Sequence, residues 1–252
     1  MHLVGDGPTG VLVLSGSSGR VEVDRCRVLA EAGATAASYR WFGEVLDRLP
    51  LESFDEPLAL LHERCDRLVV LGTSRGAEAA LLLGARHPEI DAVVAISPSD
   101  VVWAALGEAR PQRSSWTSGG EPLPFVPYDD AWVAETDPPE YLEHYEHCLA
   151  AYADRVPAAR IPVERIAGEV VVVAGGDDRL WPSVEFAEAV VRRRAAAGLP
   201  TTLVSHPEAG HRVVLPGETP PAPSHLAHGG TPEADAALGR LLWPHVRRLL
   251  SG

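Results

Sequence analysis

The sequence predicts an α/β fold: a mostly parallel sheet with helices on both faces and a lid insertion. Three observations carry that expectation. Short apolar runs bounded by turn residues recur along the chain, and stretches of helical character separate most of them. Residues with catalytic chemistry follow three of the runs instead of lying inside them.

The runs are VLVL (Val11 to Leu14), ATAASY (Ala34 to Tyr39), LVVL (Leu68 to Leu71), AVVAI (Ala92 to Ile96), VVVVA (Val170 to Ala174) and TTLVS (Thr201 to Ser205). Each is short and continuous in its apolar or small residues, the pattern of a strand buried on two sides. Helices are expected over Val23 to Ala32, Leu58 to Arg64, Ala77 to Arg86, Val184 to Ala197 and Glu233 to Leu250. Strands that alternate with helices imply βαβ crossovers and hence a parallel sheet.

One interval departs from the rhythm. From Val102 to about Arg165 the chain carries Trp103, Trp116, Trp132 and many prolines, with one helical stretch, EYLEHYEHCLAAYADR. Its aromatics need burial, so residues 102–165 read as a lid over the sheet edge within a single domain spanning 1–252. Pro216 to Pro232, rich in Pro, Gly and His, reads as a surface loop.

At 252 residues and 46% hydrophobic composition the chain can bury a continuous core without staples. Cys26, Cys65 and Cys148 are odd in number and lie far apart, which suggests neither a disulfide framework nor a zinc cluster. The N-terminus has only a five-residue apolar run and no basic start, so a soluble, cytoplasmic protein without a membrane partner is expected. A formal net charge of -13 opposes sequence-independent binding to nucleic acid, whose affinity comes from cations that replace phosphate counterions. All 22 basic residues are arginines, which excludes a catalytic lysine and leaves Arg, His or backbone amides to hold an anion.

The chemistry centres on Gly72-Thr73-Ser74-Arg75-Gly76, where small residues let a strand turn sharply into a helix and expose the middle side chain. Asp177 and Asp178 follow the VVVVA run, and His211 lies in the loop after TTLVS. The order Ser, Asp, His is the chain order of α/β-hydrolases. Serine needs a base within reach, histidine has a suitable pKa, and an acid fixes the imidazole tautomer. Ser74, Asp178 and His211 are thus the expected triad, with Asp177 as the second choice for the acid. The backbone N–H groups of Arg75 and Ser17, with Ser18 next, are expected to form the oxyanion hole. Such a mechanism requires no metal or redox cofactor.

Other residues have plainer readings. His144 and His147 resemble half a metal site but read as a solvated helix face. Arg192, Arg193 and Arg194 read likewise, Glu78 reads as structural, and the Arg75 side chain could steer an anionic substrate.

The sequence resembles the C-terminal hydrolase domain of acyl-CoA thioesterases and bile acid-CoA:amino acid N-acyltransferases, a branch close to dienelactone hydrolases. The resemblance rests on LSGSSGRVEVDRCRVLAEAGATAASYRWFG, the elbow LGTSRGAEAALLL, VVVAGGDDRLWPS, and AGHRVVLPGETPP with the His-Gly-Gly-Thr-Pro turn that follows. It implies Ser74, Asp178 and His211 as the triad and thioester-cleaving or acyl-transferring chemistry. Acyltransferases of that family tend to carry cysteine at the nucleophile, so serine implies hydrolysis. The sequence therefore predicts a serine hydrolase that cleaves a small-molecule acyl thioester, on coenzyme A or an acyl carrier, through an acyl-enzyme on Ser74. A carboxylesterase or lactone hydrolase, and an acyltransferase or cyclase with the same triad, are the alternatives; a catalytically silent binding protein of the same fold would lack a competent triad.

Overall fold

The computed structural model describes residues 1–107 and 110–251, so two positions of the 102–165 interval, 108 and 109, lie outside the described residues. In chain order the elements are β1 (His2–Val4), β2 (Thr9–Leu14), α1 (Val23–Glu31), β3 (Ala34–Ser38), β4 (Leu49–Pro50), α2 (Asp55–His62), β5 (Arg67–Thr73), α3 (Arg75–Arg86) and β6 (Ala92–Ile96). There follow β7 (Trp116–Ser118), β8 (Glu121–Pro122), α4 (Leu142–Ala151), α5 (Val156–Ala159), β9 (Glu169–Gly175), α6 (Ser183–Ala196), β10 (Thr202–His206) and α7 (Pro232–Leu250). The main sheet has the order β1-β3-β2-β5-β6-β9-β10. Only its edge strand β1 runs antiparallel, with His2 opposite Ser38; the other neighbours pair in parallel.

Five of the six apolar runs became strands with both faces covered. The TTLVS run instead forms edge strand β10, where Val204 alone is buried and Leu203 is exposed because β10 is the last strand of the sheet. Along β2, Leu12 and Leu14 belong to one core, and Val11 and Val13 to the other. The same alternation holds in β9, where Val170 and Val172 face one way and Val171 and Val173 the other. The first core is closed by α2, α3 and α6 through Leu58, Leu61, Leu81 and Val190. The second is closed by α1 and α7 through Leu29, Leu238, Leu242 and Val246. Burying each such Val or Leu contributes roughly 1.5–3 kcal/mol, so the sheet needs both helix layers to be stable. Helix α7 starts where Thr231 Oγ1 accepts from Ala234 N at 3.1 Å and Pro232 fills the first turn. Among the described residues no helix is long and apolar enough to cross a membrane.

Helix α2 begins at Asp55, ahead of the expected Leu58, because Asp55 and Glu56 suit a positive helix N-terminus and Pro57 is tolerated in a first turn. Residues 102–165 pack as an added layer. Its strands β7 and β8 pair with each other, and β7 pairs with β4 of the loop between β3 and α2, in a small three-stranded sheet. Trp103, Val126, Cys148 and Ala159 of this layer form a third core with Trp181 and Phe186. Trp103 and Trp116 are fully buried, and Trp103 stacks on Tyr128 with ring centroids 5.8 Å apart.

Candidate active site

Ser74 sits between β5 and α3 at φ 57° and ψ -119°, a backbone conformation that a side-chain-bearing residue adopts only when its surroundings impose it. Two glycines make the turn possible. A Cβ on Gly72 would lie 1.9 Å from Gly76 O, and one on Gly76 would lie 2.3 Å from Ser15 O. The turn is held at both ends: Ser74 N donates to Ile96 O at 2.8 Å, while Ser74 O accepts from Ala77 N at 2.8 Å and Glu78 N at 3.1 Å. Arg75 opens α3, where a backbone N–H has no carbonyl one turn earlier and the helix dipole is positive. The loop after β2 lies against Ser74, since a Cβ on Gly16 would meet Ser74 Cβ at 3.2 Å and Ser74 Oγ at 3.7 Å. Ser17, next in that loop, is exposed.

Asp178 and His211 meet across two strand ends. His211 Nδ1 lies 2.7 Å from Asp178 Oδ2, and both residues are buried. Against a carboxylate Nδ1 is the protonated nitrogen, which leaves Nε2 as the base. Asp178 Oδ1 accepts from Leu180 N at 2.8 Å and Trp181 N at 3.3 Å, and Ser183 Oγ donates to Oδ2. Asp177 instead accepts from Arg179 Nε at 2.7 Å and from Gly230 N at 2.9 Å, which joins this turn to the loop before α7. The geometry thus pairs Asp178, not Asp177, with His211.

The rest of His211 is equally constrained. Its N donates to His228 O at 2.8 Å, its O accepts from Ser97 Oγ at 2.9 Å, and Trp181 meets its ring edge-on with centroids 5.7 Å apart. Ser97 follows Ile96, the residue that receives Ser74 N, so the end of β6 supports both Ser74 and His211. Asp235 on α7 accepts from Gly210 N at 2.8 Å. Among the described residues no hydrogen bond joins Ser74 Oγ to His211; in free hydrolases this bond is often long and shortens on substrate binding.

Sequence reasoning missed an arginine that ties these parts together. Arg25 on α1 donates from Nε to Glu218 Oε1 at 2.5 Å and from Nη2 to Glu218 Oε2 at 3.0 Å. It also donates to Val213 O at 2.8 Å and Thr73 Oγ1 at 2.9 Å. Arg25 therefore spans the residue before Ser74 and the loop after His211. Its local stretch is VEVDRCR, and nothing there points to a partner nearly two hundred residues away. Ser97 and Ser183 gave equally little sign, being serines among many.

The Arg75 side chain is not free to meet a substrate. It is buried, donates to Glu78 Oε2 at 2.7 Å and Ala104 O at 3.1 Å, and hydrogen-bonds Tyr128. Glu78 accepts further from Trp116 Nε1 at 2.7 Å and Trp103 N at 3.2 Å. Burial pushes the Glu78 carboxyl pKa up, and these donors, Arg75 first, oppose that rise. The pair anchors Trp103, Ala104, Trp116 and Tyr128 onto α3. Arg194 likewise leaves the expected solvated face: it is buried and donates to Val163 O and Ile166 O, each at 2.8 Å. His147 lies 2.9 Å from Asp129 Oδ2, and His144 stacks on Trp132. Among the described residues no group of three or more His, Cys, Asp or Glu could hold a metal ion.

Solved structures resemble this fold at low sequence identity. A truncated carbohydrate esterase from gut microbiota superposes with a TM-score of 0.58 at 13% identity, covering 99% of this chain and 88% of that one. A candidate dienelactone hydrolase from Klebsiella pneumoniae subsp. pneumoniae gives 0.56 at 16%, covering 98% and 88%. The esterase Pf2001 of Pyrococcus furiosus gives 0.51 at 15%, covering 80% and 74%. These likenesses establish the α/β-hydrolase fold. Curated protein sequences offer no significant match. The family described as BAAT / Acyl-CoA thioester hydrolase C terminal matches residues 49–250, from the strand before α2 to the end of α7. With the elbow, the Asp178–His211 pair and the closing helix all inside that span, this chain belongs to the BAAT / acyl-CoA thioester hydrolase C-terminal family.

Proposed function

We propose that the protein is a serine-dependent acyl thioesterase. The observation that carries the reading is the 2.7 Å Asp178–His211 hydrogen bond, buried beside the strained elbow that exposes Ser74. In this mechanism Ser74 Oγ attacks the thioester carbonyl while His211 Nε2 takes its proton. Asp178 stabilises the resulting imidazolium. The tetrahedral oxyanion is held by the N–H groups of Arg75 and Ser17, each such donor contributing on the order of 3 kcal/mol. The C–S bond then breaks, the thiolate takes the proton from His211, and acyl-Ser74 remains. Water, deprotonated by His211, attacks that ester; His211 returns the proton to Ser74 Oγ as the C–O bond breaks, and the acyl group leaves as the free acid, which ionises.

The substrate is a small acyl thioester, on coenzyme A or a carrier, and neither nucleic acid nor a membrane surface is a partner in this reading. Membership of a family named for acyl-CoA thioester hydrolases supports the thioester. Three free, buried cysteines support a reducing, cytoplasmic setting. The added layer 102–165 serves as the lid of a single domain, fixed to the nucleophile helix by Glu78 and Arg75. The test compares turnover of one acyl group on coenzyme A, on a phosphopantetheinyl carrier and as an oxygen ester, with free acid quantified. Release of free acid fastest from a thioester is expected. Preference for the oxygen ester, or acyl transfer to an added amine or alcohol, would replace this reading with the esterase or acyltransferase alternative.

A further inference from the structure

A cavity of about 300 Å³ opens on the side of the molecule, two to three turns along α3 from Ser74. At 1.5 Å per residue that is roughly 12–18 Å from the nucleophile. Its walls are apolar, with Leu51, Leu82, Val102 and Leu123 meeting the turn around Ala158 and Ala159. Its polar rim is cationic: Arg86, Arg160 and Arg165 line it, and among the described residues no acidic side chain does. In a chain with a formal net charge of -13 this is a local reversal of sign. Arg86 shares its charge with Glu52 at 3.0 Å. Among the described residues neither Arg160 nor Arg165 has a carboxylate within salt-bridge distance, and both are exposed at the mouth.

We propose that this cavity is a second binding site, distinct from the triad, for a small amphipathic monocarboxylate. The apolar walls take the hydrocarbon portion and the arginine rim takes the carboxylate. The volume is at the lower bound of small-ligand sites, about 300–1,000 Å³, so the ligand is a short or medium chain or a single aromatic ring. Guanidinium groups match a planar carboxylate through paired N–H donors, whereas an alcohol of equal length offers them no charge and an amine is repelled. A monocarboxylate is also the product class of the acyl hydrolysis proposed above, although binding here does not depend on that activity.

The test uses the full chain after a fluorophosphonate has occupied the active site, with octanoate, octanol and octylamine as probes in calorimetric titration at neutral pH. Octanoate is expected to bind one equivalent on the order of ten-fold more tightly than octanol, and octylamine not at all. The double substitution Arg160→Glu with Arg165→Glu is expected to abolish octanoate binding. Ala85→Phe, which fills the cavity from near the C-terminal end of α3, is expected to do so without changing turnover of a short aryl ester. Equal binding of octanoate and octanol, loss of binding on phosphonylation, or binding that survives both variants in folded protein would overturn the proposal.

Discussion

The Arg25 guanidinium donates to Thr73 Oγ1 at 2.9 Å, so a residue of the first helix braces the residue that precedes Ser74. The same side chain grips Glu218 and Val213 O, beyond His211. Ser74 and His211 belong to different loops, and this strut sets one relative to the other. Arg25→Met is therefore expected to lower kcat on the order of ten-fold while KM holds within about two-fold, because misplacement of reacting groups penalises the chemical step. Steady-state kinetics on a chromogenic ester read both constants; a raised KM at unchanged kcat would assign Arg25 to substrate binding instead.

The Arg75–Glu78 pair predicts a stability effect with a characteristic reversal. Glu78→Leu leaves a buried guanidinium without its counter-charge, which typically costs about 3–5 kcal/mol. Adding Arg75→Met removes the orphaned charge, so the double variant is expected to regain most of that loss in urea unfolding. A double variant no better than Glu78→Leu would show that packing, not charge, carries the penalty.

The two adjacent aspartates are expected to separate cleanly. Asp178→Asn presents the wrong partner to His211 Nδ1 and is expected to lower kcat by roughly 10³–10⁴. Asp177→Asn weakens contacts to Arg179 and Gly230 and is expected to act mainly on stability. Rates of both purified variants check this assignment.

His228, whose ring centroid lies 6.0 Å from that of His211, makes a pH prediction. Burial, then the charges of Arg212 and His211, lower its pKa from 6.5 to about 4. Between those values an unfolded imidazole takes a proton that the folded one refuses, so stability falls as pH drops through that window and is unaffected above it. His228→Gln is expected to flatten the decline, measured as urea midpoints at pH 7 and pH 4.5. An unchanged slope would place the acid sensitivity elsewhere.

The parallel core was legible because strands buried on both faces must be continuously apolar, as VVVVA and AVVAI are. Strand β1 and the small sheet of β4, β7 and β8 were not, since two or three residues carry no period and their pairing depends on partners distant in sequence. At the site, the elbow announced itself through Gly72 and Gly76, whose close contacts forbid any side chain. The choice between Asp177 and Asp178 needed the fold, because both follow the same strand and only the path of the His211 loop distinguishes them. Arg25, Ser97 and the buried course of Arg75 were invisible for the same reason: each is defined by a tertiary partner and not by a local pattern.

The most direct measurement is active-site labelling with a fluorophosphonate, read by intact mass and peptide mapping. The mechanism predicts one phosphonyl group on Ser74 in the unmodified protein, none in Ser74→Ala, and slow labelling in His211→Ala. Stoichiometric labelling of Ser74→Ala, or an unmodified Ser74 in a protein that still hydrolyses acyl thioesters, would contradict it.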